Sequence, residues 1–242
     1  MDAMGVGFSP HPFFRGTMRK GVGGMQLIIH DVEAITRQKL VYSSEIIEIA
    51  ALRVEVTDTY GVRDTFHQYV QPQDVRSIPI ATTRLTGISE QEMQRASGFV
   101  QVVRGFQDWL GDDEYFLCSW SLSDRDFFMD DCIRHRLPTD WIRNYNDAQR
   151  WYSQHAGVTR RVSLANAMES LALPPDGQFH SALADTLCTW RVIQAICPTP
   201  AALKLEHNDC AGIPKTEIVY RDEAAKEVPD EDNPFFKLRG LR

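Results

Sequence analysis

The chain is 242 residues long, 43% hydrophobic and 24% charged, with a formal net charge of −7. That suffices for one well-buried core, while the absence of any run of 18 apolar residues excludes a transmembrane helix and the acidic balance excludes a protein that coats nucleic acid through bulk positive charge. Cys118, Cys132, Cys188, Cys197 and Cys210, odd in number and without C-x-x-C spacing, exclude a disulfide framework or a zinc site and read as free thiols in a reducing, cytoplasmic compartment. Residues 1–24 include Gly21-Val22-Gly23-Gly24, lack the apolar stretch of a secretory signal and read as a flexible leader. One domain is expected over residues 25–198. Leu27–Glu33 predicts a strand, Ile46–Val56 a second and Thr65–Val70 a third, the last two joined by turn chemistry around Asp58–Gly61. Ser89 is suited to cap a helical turn carrying Glu90 and Glu92. A helix follows over Val100–Leu110, with Phe99, Val102, Val103, Phe106 and Leu110 on its apolar side. Tyr115–Ser119 reads as a short buried strand, Asp124–Arg136 as a helix and Trp141–Asn146 as another strand, with Asp147 capping the helix after it. Ser163 caps Leu164–Leu171, and a last helix runs from Ala182 to Ile196. Three strands followed by alternating helices and strands imply an α/β fold, a mixed sheet with helices on its faces. Residues 199–242 are expected to be an extended or disordered tail. Its end, Pro234-Phe235-Phe236-Lys237-Leu238-Arg239, is apolar and basic and suited to docking on the domain or on a protein partner.

Three short motifs carry the chemistry. His30-Asp31-Val32-Glu33-Ala34 closes the first apolar run, Trp120-Ser121-Leu122-Ser123-Asp124 follows the buried strand, and His180-Ser181-Ala182-Leu183-Ala184-Asp185 opens the last helix. Residues i and i+2 of a strand share a face, so Asp31 and Glu33 converge on one site. Hard carboxylate oxygens suit Mg²⁺ or Mn²⁺, and a pair of such ions serves phosphodiester hydrolysis, one activating the attacking water and the other stabilising the leaving oxygen. Positive charge is local: residues 134–161 hold Arg134, Arg136, Arg143, Arg150, Arg160 and Arg161 against Asp140 and Asp147, and no lysine lies between Lys39 and Lys204. Phosphate contacts across the domain therefore fall to arginine.

The motifs, their order and their spacing resemble the DEDDh family of 3′→5′ exonucleases. Glu45-Ile46-Ile47-Glu48-Ile49-Ala50, Leu85-Thr86-Gly87-Ile88, Phe127 and Asp131-Cys132-Ile133-Arg134-His135 add to the resemblance, which covers Met25 to Ile196 and is nearest the branch that trims RNA 3′ ends and its small bacterial relatives. It implies a ribonuclease H-like fold: a mixed five-stranded sheet with helices on both faces. It implies two bound Mg²⁺ or Mn²⁺ ions, with Asp31 and Asp185 on one, Asp124 serving the other directly or through water, and Glu33 binding metal while orienting the attacking water. His180 is implied as the general base, from a loop position that lets it swing in. Leu85 would abut the terminal base, Ala34 and Thr86 would lie beside the terminal nucleotide, and Trp120 would stack or simply pack. Glu48 is expected to face solvent or a neighbouring strand. The chain departs from the family pattern at His30 (usually aromatic or aliphatic), at Ile35 (often threonine) and at Ser121-Leu122 (often glycine). No metal ligand is lost; the last two departures bear on substrate preference. The expected function is release of 5′-mononucleotides from single-stranded 3′ ends, RNA favoured over DNA, with no membrane involvement. The alternatives are a DNA or short-oligonucleotide exonuclease and a non-catalytic nucleic-acid-binding module of the same fold.

Overall fold

In the computed structural model, which describes residues 25–36, 44–73, 78–175, 177 and 179–210, the run Leu27-Ile28-Ile29 is fully buried in the strand at the heart of a mixed sheet. Strand β1 (Met25–Thr36) pairs antiparallel with β2 (Ser44–Val56), which pairs antiparallel with β3 (Tyr60–Gln71). On its other side β1 runs parallel to β5 (Tyr115–Ser119), and β5 to β6 (Tyr145–Asp147). A strand of two residues, β4 (Ser97–Gly98), adds to β3, giving six strands among the described residues in the order β4-β3-β2-β1-β5-β6. That is one more than expected; two residues carry no alternation for a sequence to reveal.

Helices cover both faces, as expected. Ile28 and Val32 join a cluster with α3 (Phe99–Leu110) and α4 (Ser123–Arg134). Leu27 and Ile29, one residue out of step, join the opposite cluster with α5 (Ala148–Ala156), α6 (Leu164–Ser170) and α7 (Ala182–Ile196). A strand packed on both sides needs apolar residues at every position, which is why β1 opens as an unbroken run rather than an alternation. The capping residues act as anticipated. Ser89 forms a reciprocal capping box with Glu92 at α2 (Glu90–Arg95), Asp147 accepts from the Arg150 amide at 2.9 Å, and Ser163 accepts from the Asn166 amide at 3.3 Å.

Three readings change. Helix α1 (Ile80–Thr86) was not anticipated; none of its residues is buried, so it shows no apolar period, and it ends at Gly87, whose φ of 74° lets its amide reach the Thr83 carbonyl. The strand expected over Trp141–Asn146 shrinks to Tyr145–Asp147. Trp141 and Ile142 are buried from a turn in which the Ile142 amide donates to the Thr139 carbonyl, and Asn144 is left-handed at φ 50°. Finally, the chain past Ile196 stays on the domain. Residues 203–210 lie along β6. Asn208 bonds the backbone of Tyr145 in both directions at 2.9 and 3.0 Å, the Asn144 amide donates to the Asn208 carbonyl, and the Glu206 amide donates to the Asn146 side chain. Cys210 is buried. This segment covers an exposed sheet edge. Residues 1–24 and the apolar-basic end at 234–239 lie outside the described residues.

A truncation test follows. These four hydrogen bonds are each worth about 1 kcal/mol net, so ending the chain at Thr199 should lower Tm by roughly 8–16 °C relative to a chain ending at Cys210. Ending it at Cys210 keeps all four bonds and serves as the reference. Equal Tm for the two truncations, by calorimetry, would show that 203–210 adds nothing to the domain.

Candidate active site

The parallel pair β1–β5 brings the carboxyl end of β1 beside the start of α4, which follows β5 directly. Crevices at the carboxyl ends of parallel strands are where open α/β sheets place their chemistry. Asp31 and Glu33 project there from β1. Asp124, in the first turn of α4, accepts from the Val32 amide at 3.3 Å, so its carboxylate is tied to the strand that carries Asp31 and Glu33. Behind it, Ser119 lies in a layer with Tyr145, whose hydroxyl is 2.8 Å from the Ser119 hydroxyl. Asp185 arrives from the first turn of α7. Its Oδ2 accepts from the His180 amide at 3.1 Å, which ties the loop bearing His180 to the helix bearing Asp185. His180 itself is exposed and left-handed, φ 70°.

All five residues singled out by the sequence are therefore at one place. The tightest grouping is Glu33, His180 and Asp185, with one possible ligand atom from each lying within 4.8 Å of the others. Asp31 feels Asp124, Asp185, Glu33 and Glu48 at once. Burial first, and these negative neighbours second, push the Asp31 carboxyl well above the usual range. The same causes raise Glu33 to about 8. Burial raises Asp124 to about 7 against the hydrogen bonds it accepts, and Asp185 to about 6. Carboxylates held this close without a counter-ion keep protons they would lose in water. Asp185 Oδ1 is buried and has no hydrogen-bond partner among the described residues, which is costly for a carboxylate oxygen unless a cation meets it. The donor set, hard oxygens with one imidazole, fits a divalent cation.

The residues expected near substrate divide. Leu85 is half exposed on α1, and Ile80 at the start of that helix is 70% exposed; Ile88, just after the helix, packs with Ile35 and Ile47. Ala34 is half-buried on β1. The Thr86 hydroxyl is spent locally, donating to the Thr82 carbonyl and accepting from the Ile88 amide. Trp120 packs: it is 8% exposed and its indole N–H donates to the Val162 carbonyl at 3.1 Å. His30, the unusual residue before Asp31, fills an aromatic slot, edge-on to Phe128 and Tyr145, and burial lowers its pKa to about 3, so the ring is neutral. Part of the arginine surplus is structural. Arg134 pairs with Asp131 at 2.6 Å and donates to the Ser44 carbonyl, while Arg150 pairs with Glu206.

Of the two settings expected for Glu48, solvent or a neighbouring strand, the second is found. Glu48 does not face solvent: it is 1% exposed, pairs with His67 on the neighbouring strand β3, and points at the first turn of α7. Glu33 and Ala34 of β1 pair with Glu48 and Ile46, leaving Ile47 as a bulge. Strict alternation puts Glu48 on the face of Ile46; the extra residue turns it to the other.

A family model described as Exonuclease, RNase_T, matches residues 28–193. The 3′-5′ exoribonuclease 1 of Mus musculus is 29% identical over 179 residues, 69% of this chain and 51% of that protein. The chain spans about half the length of the curated relatives it matches first. Among solved structures, the nuclease domain of 3′hExo, a DEDDh family member bound to rAMP, superposes with a TM-score of 0.64 at 25% identity, covering 77% of this chain and 98% of that one. A 3′-exonuclease recognising the histone mRNA stem-loop has the same fold, with a TM-score of 0.63 at 24% identity over 69% of this chain and 79% of that one.

Proposed function

This chain belongs to the RNase_T exonuclease family, and we propose that it is a metal-dependent 3′→5′ exonuclease of the DEDDh type, releasing 5′-mononucleotides from single-stranded ends, with RNA as the preferred substrate. The observation that carries this reading is the convergence of Asp31, Glu33, Asp124, Asp185 and His180 at the carboxyl ends of parallel strands, with Glu33, His180 and Asp185 close enough to share a cation. Preference for RNA is supported by the exoribonuclease name of the mouse relative and by the rAMP held by the 3′hExo domain. The buried thiols of Cys118, Cys132 and Cys210, none in a disulfide, support a reducing, cytoplasmic setting.

Two divalent ions, Mg²⁺ or Mn²⁺, supply charge neutralisation at the scissile phosphate and lower the pKa of the attacking water. The chain's residues do the rest. Asp31, Glu33, Asp124 and Asp185 would hold the ions, and Glu33 would also orient the water. His180 accepts the proton as the water oxygen bonds to phosphorus and the bond to the upstream 3′ oxygen breaks, leaving the 5′-phosphate on the released nucleotide. Leu85 abuts the terminal base, with Ala34 and Thr86 beside the terminal nucleotide.

The decisive experiment is incubation with 3′- and 5′-labelled single-stranded RNA and DNA of one sequence, with Mg²⁺, Mn²⁺ or EDTA. Mononucleotides should leave the 3′ end, faster from RNA, and only with a divalent ion; a terminal 3′-phosphate should inhibit. Full hydrolysis in excess chelator, or cutting of a circular single strand, would overturn the reading. Equal rates on RNA and DNA would overturn only the substrate preference.

A further inference from the structure

We propose that Glu48 and His67 form a positioning pair that caps α7 from across the sheet and so holds Asp185 and His180 in register with Asp31 and Glu33. The proposal rests on the function just given. It begins from a helix without a local cap. Ser181 stands at the N-cap of α7 but offers no side-chain hydrogen bond, so the amides of the first turn need acceptors from elsewhere. Glu48 Oε2 supplies one, accepting from the Ala182 amide at 3.1 Å. The residues are 134 apart in sequence, and the contact is buried. It exists because of the bulge at Ile47. Ile46 and Ile49 pack with α3 and α4, whereas Ile47 packs with Ile35, Ile88 and Met93 on the other side. The inserted residue hands Glu48 to the face where α7 begins.

The second oxygen is also committed. His67 Nε2 donates to Glu48 Oε1 at 2.7 Å, and the His67 ring is itself held edge-on by Tyr69 at 5.4 Å. With both oxygens engaged, Glu48 stands behind the metal ligands rather than among them. A fifth carboxylate here is electrostatically unfavourable: it contributes to raising Asp31, Glu33 and Asp185. A neutral acceptor would serve a purely structural cap without that penalty. The carboxylate gains from the positive end of the α7 dipole and from the His67 hydrogen bond, and it directs both onto the turn that carries Asp185. Because Asp185 Oδ2 holds the His180 amide, displacement of Ala182 would carry the metal ligand and the proposed base together. Outer partners of this kind typically alter metal affinity or activity by about 10–100-fold when removed.

The test uses the full chain and three variants, E48A, H67F and H67Q. The readouts are kcat and KM on a short single-stranded oligoribonucleotide, Mn²⁺ affinity by calorimetry, and amide exchange across residues 181–186. E48A should lose roughly 10–100-fold in kcat and weaken Mn²⁺ binding by a similar factor, with KM within about twofold and faster exchange at Ala182. H67F should show a smaller loss in the same direction. H67Q, whose side-chain amide can still donate to Glu48, should recover most of it. Wild-type kcat and Mn²⁺ affinity in E48A would overturn the proposal. So would H67Q that does no better than H67F, and this pair still decides if E48A does not fold. If the wild type cleaves no nucleic acid, the functional reading fails, while Mn²⁺ affinity and exchange still decide the role of Glu48.

Discussion

Asp31→Ala should abolish turnover and, in EDTA at pH 8, raise the melting temperature of the protein. The first effect follows from removing a carboxylate at the centre of the cluster. The loss should exceed the 10–100-fold expected for an outer partner, reaching more than about 10³-fold. The second follows from the direction of the pKa shifts. Asp31, Glu33, Asp124 and Asp185 all titrate higher in the folded chain than a free carboxyl does. A group raised on folding contributes stability that is complete below its unfolded pKa, near 4, and is lost as pH climbs through the folded value. Those values are about 6 for Asp185, about 7 for Asp124 and about 8 for Glu33. The metal-free wild type should therefore lose stability between about pH 4 and pH 8. Asp31→Ala removes the carboxyl that burial and four negative neighbours disfavour most, so its curve should be flatter and the gap widest at pH 8. His30 has the opposite sign: its lowered pKa favours the fold above pH 6.5 and is lost as pH falls toward 3. That contribution is common to both proteins and cancels in the difference. Saturating Mn²⁺ should reverse the order, stabilising the wild type by mass action and the variant far less. Thermal unfolding at pH 5 and pH 8, with EDTA or Mn²⁺, measures all of this. A variant that still digests RNA, or whose gap from wild type in EDTA does not change with pH, would mean that Asp31 is not at the centre of a metal site.

What the sequence made legible, and what it hid, follows from the range of the signal involved. Tyr115–Ser119 and Ala182–Ile196 appear with the expected bounds because a short buried strand and a long terminal helix announce themselves through local composition. The five candidate site residues were legible because each lies in a short motif, within β1, at the start of α4, or at and just before the start of α7. Helix α1 was hidden because Ile80 and Leu85 face outward and leave no buried stripe. Helix α4 buries Arg125, Asp126 and Asp131, charges that a periodicity argument places in solvent and that are satisfied by ion pairs. The segment over β6 was hidden because asparagine side chains, rather than an apolar pattern, hold it in place. For Glu48 the neighbouring strand was legible, but the contact with α7 was not. One bulged residue reverses the face of everything after it, and nothing within Glu45-Ile46-Ile47-Glu48 marks where the extra residue sits.

His180→Ala should lower the rate by roughly 10²–10⁴-fold, the usual worth of a general base, while leaving Mn²⁺ affinity within about threefold of wild type, a change of less than 1 kcal/mol. The geometry makes this a sharp test, because His180 lies near enough to Glu33 and Asp185 to act as a ligand instead. A ligand and a base both lower the rate when removed; only a ligand weakens the metal. The backbone needs its own control. His180 is left-handed at φ 70°, a conformation that asparagine tolerates better than alanine does. His180→Asn therefore keeps the loop while offering no base at neutral pH. It should show the same loss as His180→Ala, and both should retain the contact between the residue-180 amide and Asp185, since that bond uses the backbone alone. Single-turnover rates at saturating Mn²⁺, together with a calorimetric Mn²⁺ titration of each variant, separate the possibilities. If Asn restores the rate, the imidazole shapes the loop rather than taking the proton. If both variants lose Mn²⁺ binding in proportion to their rate, His180 belongs with Glu33 and Asp185 among the ligands, and the proton from the attacking water must go elsewhere.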